Sequence, residues 1–188
     1  MLKVDIRRTF KERRKFVTPF ELNRISDLCT KIVLERFDFN NKTVSLFLPI
    51  EKQKEINTYE LLEEIILQGG IVALSKSDFS DNTLIHYKYE KTSQLEVNKF
   101  GIPEPKFGEV MSEVLLDFVF VPLLAINNRG HRVGYGKGFY DKLLSKCKPS
   151  CVFIGLSIFD EFVVIDDLNS TDVSLHYCVT PNGFYDFK

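Results

Sequence analysis

Near the start of the chain, Leu2, Ile6 and Phe10 recur every four residues beside a basic stripe of Lys3, Arg7, Lys11 and Arg14. That spacing predicts one amphipathic helix with its apolar and cationic stripes side by side. Thr18-Pro19-Phe20-Glu21 opens a second helix, with a cap residue, a proline in the first turn and a capping-box acid ahead of Leu22, Ile25, Leu28, Ile32 and Val33. The pattern then changes. Thr43 to Leu48 (TVSLFL) is β-branched and apolar and reads as a buried strand that ends at Pro49. Asn57-Thr58-Tyr59-Glu60 resembles a cap, and the helix it starts runs through Leu61, Leu62, Ile65 and Ile66 to a stop at Gly69-Gly70. Ile71 to Leu74, Thr83 to Tyr89, Asp117 to Val121 and Val152 to Leu156 are further strands, and Phe139 to Cys147 is a helix.

Helices between strands that are apolar runs, not strict alternations, predict an α/β fold: a single-domain, mostly parallel sheet with helices on both faces. No repeat, linker or low-complexity tract divides residues 1–188. In such sheets ligands bind beyond the carboxyl ends of the strands, which points to Pro49–Thr58 and Pro122–Gly138.

Composition narrows the classes. With 188 residues, 44% of them hydrophobic, the chain can bury a core without a disulfide or metal framework. No apolar run approaches the ~20 residues a bilayer requires, and the N-terminus alternates charges where a secretory signal would be apolar. No membrane partner and a cytoplasmic location are expected. The four cysteines have no CxxC spacing and the three histidines are far apart, which argues for free thiols and against a zinc site. The net charge of -1 argues against nucleic acid as a partner. Seven basic residues against two acidic ones in the first 16 nevertheless leave room for a local anion site.

The densest candidate chemistry lies in Phe118 to Lys142. Gly134-Tyr135-Gly136-Lys137-Gly138 places glycine at every second position before a helix, so backbone N–H groups can approach an anion closely, with Arg132 and Lys137 supplying charge. It is neither a P-loop nor a dinucleotide fingerprint. By spacing alone it is equally a glycine-rich turn. Asp141, just beyond, shifts the balance, because a carboxylate beside a phosphate loop is what Mg²⁺ coordination requires.

Arg132-Val133-Gly134-Tyr135-Gly136-Lys137-Gly138-Phe139-Tyr140-Asp141 resembles the signature of the 5-formyltetrahydrofolate cyclo-ligase family. Lys3 and Arg7, the FLP strand-loop followed by Glu55-Ile56-Asn57-Thr58, Phe100 to Pro105 and Asp117 to Pro122 extend the likeness over nearly the whole chain. The resemblance implies ATP-dependent cyclisation of 5-formyltetrahydrofolate to 5,10-methenyltetrahydrofolate, with release of ADP and phosphate, through an N5-iminium phosphate. By that resemblance Lys3, Arg7 and Arg132 through Tyr140 (Val133, Gly134, Tyr135, Gly136, Lys137, Gly138 and Phe139 included) bind the nucleotide. Lys137, Arg132 and Tyr140 are catalytic, with Lys137 the transition-state cation. Ile50, Glu55, Asn57, Glu104 and Tyr135 contact the folate, and Asp141 and Asp172 hold Mg²⁺. The expected partners are 5-formyltetrahydrofolate and MgATP, acting on a monomer.

Plainer readings exist for each residue. The basic stripe is also what a solvated helix face looks like, and the resemblance lifts only Lys3 and Arg7 out of it. Glu55 and Asn57 also suit a helix cap, Asp141 a helix-start carboxylate, Asp172 a loop carboxylate, and Phe100 to Pro105 a rigid extended turn. The chain departs from the family pattern at Asn127, at His176 and in two extra residues between Pro49 and Glu55. A non-catalytic folate- or nucleotide-binding module, or an enzyme of phosphorylated sugars or acyl carriers, would share the glycine loop.

Overall fold

In the computed structural model, which describes residues 1–91 and 94–188, the chain runs α1 (Lys3–Lys15), α2 (Pro19–Arg36), β1 (Thr43–Leu46), α3 (Tyr59–Leu67), β2 (Ile71–Asp78) and β3 (Thr83–Lys88). It continues through β4 (Leu95–Val97), β5 (Pro103–Pro105), β6 (Val110–Met111), β7 (Phe118–Pro122), β8 (Ala125–Ile126) and β9 (Arg132–Val133). It ends with α4 (Phe139–Leu144), β10 (Val152–Leu156), β11 (Tyr177–Thr180) and β12 (Gly183–Asp186). Local chemistry accounts for the element ends. Thr18 Oγ1 accepts from the Glu21 N–H at 3.2 Å while Glu21 Oε2 accepts from the Thr18 N–H at 2.8 Å, a complete capping box. Gly69, at φ +86, and Gly70 donate to the carbonyls of Ile66 and Ile65 and close α3 with a Schellman motif.

Eight strands form one sheet in the order β12-β11-β10-β7-β1-β2-β3-β6. The central five, β11-β10-β7-β1-β2, are parallel; β12 and β3 run opposite to them on the two flanks, and β6 pairs antiparallel with β3. Side chains leave opposite faces in turn. Val44, Leu46, Val72, Leu74, Phe120 and Ile154 pack with α2 and α3, whereas Ala73, Val119, Val121 and Phe153 pack with α4. Both faces are therefore covered, as parallel strands require. Third, α1 lies across the carboxyl ends, where Ile6 and Phe10 pack on Leu124, Ala125 and Val133.

Two expectations need correction. Leu2 is exposed, so the apolar stripe of α1 consists of Ile6 and Phe10. The helix expected over Phe139 to Cys147 ends at Leu144, with Lys146 and Cys147 in turn hydrogen bonds behind it. Six residues make a weak dipole, so anion attraction by that helix is a smaller term than the glycine pattern suggests. No helix among the described residues is long and apolar enough to cross a membrane.

Candidate active site

Chain order reverses at the middle of the parallel sheet: β1 is followed by β2 on one side, and β7 joins on the other. The loops leaving β1 and β7 therefore part in opposite directions and open a crevice at their carboxyl ends. A cavity of about 940 Å³ fills it, bounded by the two segments that the pattern pointed to and by α1, Phe100–Pro103 and Asn169–Val173.

One wall is charged. Lys3 Nζ pairs with Asp172 Oδ2, which also accepts from the Asn169 N–H at 2.8 Å. Partial burial works against the charged form of Asp172, but these two donors outweigh it and hold the carboxyl below its ordinary range. Arg132 Nη2 donates to Asp141 Oδ1 at 2.8 Å, and the Val173 N–H reaches the same oxygen at 3.0 Å. Burial weighs on the Arg132 guanidinium and lowers its pKa, with the Asp141 charge acting in the opposite direction. Arg7 Nε donates to the Gly134 carbonyl at 2.9 Å, and its guanidinium carbon lies 3.2 Å from where a Cβ on Gly136 would sit. Gly136 and Gly138 have φ of +98 and +72, so glycine is required there by conformation, whereas Gly134 is not at positive φ. Lys137 Nζ rests 4.4 Å from the Phe79 ring centroid and 5.3 Å from that of Phe100.

The other wall is buried. The Glu55 carboxyl accepts from the Tyr135 hydroxyl at 2.6 Å and from the Ile50 N–H at 2.9 Å. Burial pushes its pKa up, against the pull of those hydrogen bonds and of Arg14. Tyr135 and Tyr140 are both held as neutral phenols, first by burial and then by the nearby Glu55 charge. Between Pro49 and Glu55 the chain forms a 3-10 turn, Glu51–Gln53, and the Lys54 side chain, on a residue at φ +47, donates to the carbonyls of Lys15 and Val17 at the end of α1.

Most of the expected site residues meet here: Lys3, Arg7, Ile50, Glu55, Arg132, Gly134 to Asp141 and Asp172 all line the cavity. Three do not. Val133 is buried in the core under α1. Asn57 is exposed and accepts from the Tyr59 N–H at 3.0 Å, an Asx turn just ahead of α3. Glu104 is buried behind the lining, fixed by the Ser77 N–H at 2.8 Å and Asn98 Nδ2 at 2.8 Å. The solvated-face reading of the basic stripe is also corrected: Arg14 is buried and Lys11 lines the cavity. Their spacing from Lys3 and Arg7 was the signal that all four share one face. Phe79, on a polar stretch after β2, carried no such signal.

Asn127 and His176 have structural roles. Asn127 Oδ1 accepts from the N–H groups of Arg129 and His131, at 2.9 Å each, and shapes the turn between β8 and β9. His176 stacks on Phe153 at 4.7 Å and accepts from its N–H, which makes it a packing residue.

Asp141 and Asp172 each receive their hydrogen bonds on a single oxygen, which leaves the second oxygen of each without a partner among the described residues. Two carboxylates with free oxygens beside a cationic wall suit Mg²⁺, which takes one or two carboxylates plus ligand phosphates. Among the described residues no three His, Cys, Asp or Glu side chains form a self-sufficient metal site.

Fold and cavity together define an α/β ligand-binding protein whose site lies at a topological switch point, charged on one side and buried on the other. Comparison with known proteins makes this specific. Residues 2–181 match the model of the 5-formyltetrahydrofolate cyclo-ligase family, and the chain belongs to that family. It is 31% identical over 153 residues to the 5-formyltetrahydrofolate cyclo-ligase of Mus musculus, covering 77% of this chain and 74% of that one. To the Escherichia coli K12 enzyme of the same name it is 27% identical over 186 residues, covering 94% and 99%. The solved structure of Aquifex aeolicus 5,10-methenyltetrahydrofolate synthetase superposes with a TM-score of 0.80 at 26% identity, over 100% of this chain and 94% of that one.

Proposed function

We propose that this chain uses ATP to cyclise 5-formyltetrahydrofolate to 5,10-methenyltetrahydrofolate, releasing ADP and phosphate. The observation that carries the reading is the two-sided cavity, with Lys3, Arg7, Arg132 and Lys137 beside Asp141 and Asp172 on one wall, and Glu55 among apolar and aromatic groups on the other. A formyl oxygen is a poor leaving group and phosphate a good one. Transfer of the γ-phosphoryl group to that oxygen gives an N5-iminium phosphate. N10 then attacks the activated carbon and loses its proton, and the carbon–oxygen bond breaks as phosphate departs.

Catalysis of this kind rests on alignment and on charge neutralisation. Lys3 and Arg7 bind the phosphates, the glycine loop lets its backbone close in on them, and Lys137 moves from the rings of Phe79 and Phe100 to the transferring group. Arg132 anchors Asp141, and Tyr140 bounds the reacting end of the pocket. Asp141 and Asp172 would hold Mg²⁺, which supplies neutralisation of phosphate charge. Ile50, Glu55 and Tyr135 receive the pterin. The same reading has residues 1–188 working as one domain, a cytoplasmic monomer with no nucleic-acid or membrane partner.

Near-ultraviolet absorbance of the protein with 5-formyltetrahydrofolate, with and without MgATP, tests it, because the methenyl product absorbs where the substrate does not. A rise only with MgATP is expected. Binding of both ligands without that rise would overturn the catalytic reading in favour of a binding module.

A further inference from the structure

Arg14 has a role that neither phosphate binding nor surface charge explains. It is 4% exposed, and all its hydrogen bonds point inward: Nη1 to the Gln53 carbonyl at 3.2 Å and to Tyr135 Oη at 2.9 Å, Nη2 to the Leu123 carbonyl at 2.5 Å. It thus ties α1 to the loops after β1 and β7. The contact with Tyr135 has a further effect. A guanidinium only donates, so the Tyr135 oxygen must accept from it, and the single phenolic proton is left for another partner. That partner is Glu55 Oε1, 2.6 Å away.

Tyr135 is thereby fixed as a donor to Glu55, and the Ile50 N–H fixes the other oxygen at 2.9 Å. Each carboxylate oxygen keeps a second acceptor position. An ionised Glu55 can accept two parallel N–H donors, the pattern that a pterin presents with its ring amide and exocyclic amine. A protonated Glu55 would instead offer a hydrogen to one of those donors. At 4% exposure the carboxyl takes up a proton unless donors and a cation offset its burial. The groups that face it are Arg14 from α1, Tyr135 from the glycine loop, Tyr140 from α4 and the Ile50 N–H.

We propose that Arg14 is a positioning residue for the folate half of the reaction: by committing Tyr135 to donate, it keeps the Glu55 carboxyl oriented to accept the N–H groups of the pterin. This rests on the function proposed above for the same cavity. The test is calorimetric titration of 5-formyltetrahydrofolate, and separately of MgATP, into the wild type, Tyr135→Phe, Arg14→Met and Arg14→Lys at pH 7. Tyr135→Phe should weaken folate binding about tenfold, the order expected for one hydrogen bond to a carboxylate. Arg14→Met should show a loss of the same order, Arg14→Lys should recover part of it, and MgATP affinity should move by less than about twofold in all three.

Unchanged folate affinity in Tyr135→Phe, no recovery in Arg14→Lys over Arg14→Met, or an equal loss of MgATP affinity would each overturn the role. Tyr135→Phe removes only a hydroxyl and decides the matter even where Arg14→Met does not fold. A wild type that binds no folate would instead refute the reading of the cavity, and this one with it.

Discussion

Two polar regions share the same sheet strands: one is charged and lines the cavity, and the other, a buried Ser45–His86 pair, lies outside its lining. At the carboxyl ends of β1 and β7, Lys3, Arg132, Asp141 and Asp172 satisfy one another in pairs that an incoming ligand can replace. Behind them, Ser45 of β1 and His86 of β3 meet at 2.9 Å on the face under α4, with the small Ala73 on the strand between. His86 is 1% exposed, and its Nδ1 has no partner among the described residues. The difference teaches that buried polarity by itself is not a site. Charges that border a cavity can act on a ligand, whereas sealed ones act only on stability.

The sharpest way to break this division is Lys137→Ala. It should lower the rate constant of the chemical step by roughly 10²–10³-fold, the order seen when one preorganised donor to a developing charge is lost. The unfolding midpoint should stay almost unchanged, because an exposed loop side chain contributes little packing. Equal losses of activity and stability would end the distinction.

His86 supplies the opposite case. Burial holds its imidazole neutral and its pKa down, from 6.5 to about 4. In that window the unfolded chain binds a proton that the folded chain refuses, so stability is complete above about pH 6.5 and falls as the pH drops. The loss approaches about 3 kcal/mol at pH 4. Urea unfolding of wild type and His86→Gln at pH 7, 5 and 4 should show the variant losing less stability on acidification. Identical slopes would mean that His86 does not carry the effect.

Asp141→Asn and Asp172→Asn should each raise the Mg²⁺ concentration for half-maximal activity by about tenfold or more, with far-ultraviolet circular dichroism unchanged. A Mg²⁺ requirement that stays the same in both would remove these residues from the metal site. The smallest effect is expected at the cap of α2, where Thr18→Ala should cost about 1 kcal/mol in denaturant unfolding and leave turnover unaltered.

The elements that the sequence pattern disclosed are those with strong local signals: the Thr18 capping box, the apolar runs of β1, β7 and β10, and the glycine stop after α3. β11 escaped, although it is a buried parallel strand, because no helix precedes it: residues 157–176 return from β10 without one. β4, β5, β6, β8, β9 and β12 are two to four residues long, too short for a period to show. The site was legible where glycine and charge concentrate, from Arg132 to Asp141. Arg14 was not, because a basic stripe reads the same in sequence whether it faces water or a cavity. Its partners, Gln53, Leu123 and Tyr135, are supplied by tertiary structure alone.

The seating of α1 also has a consequence for the order of folding. Lys3 meets Asp172 across 169 positions of chain, the Lys3 N–H meets Asp167 across 164, and Arg13 meets Glu161 across 148. Contacts so distant in sequence are among the last whose closure entropy is repaid. The Lys3–Asp172 side of the charged wall therefore comes into being only when segments from near the two extremes of the polypeptide join, whereas Arg132–Asp141, nine positions apart, does not wait for them. Any ligand that spans them acts as a fastener on that final step, and fraying of α1 dismantles the pocket while the sheet beneath it still stands.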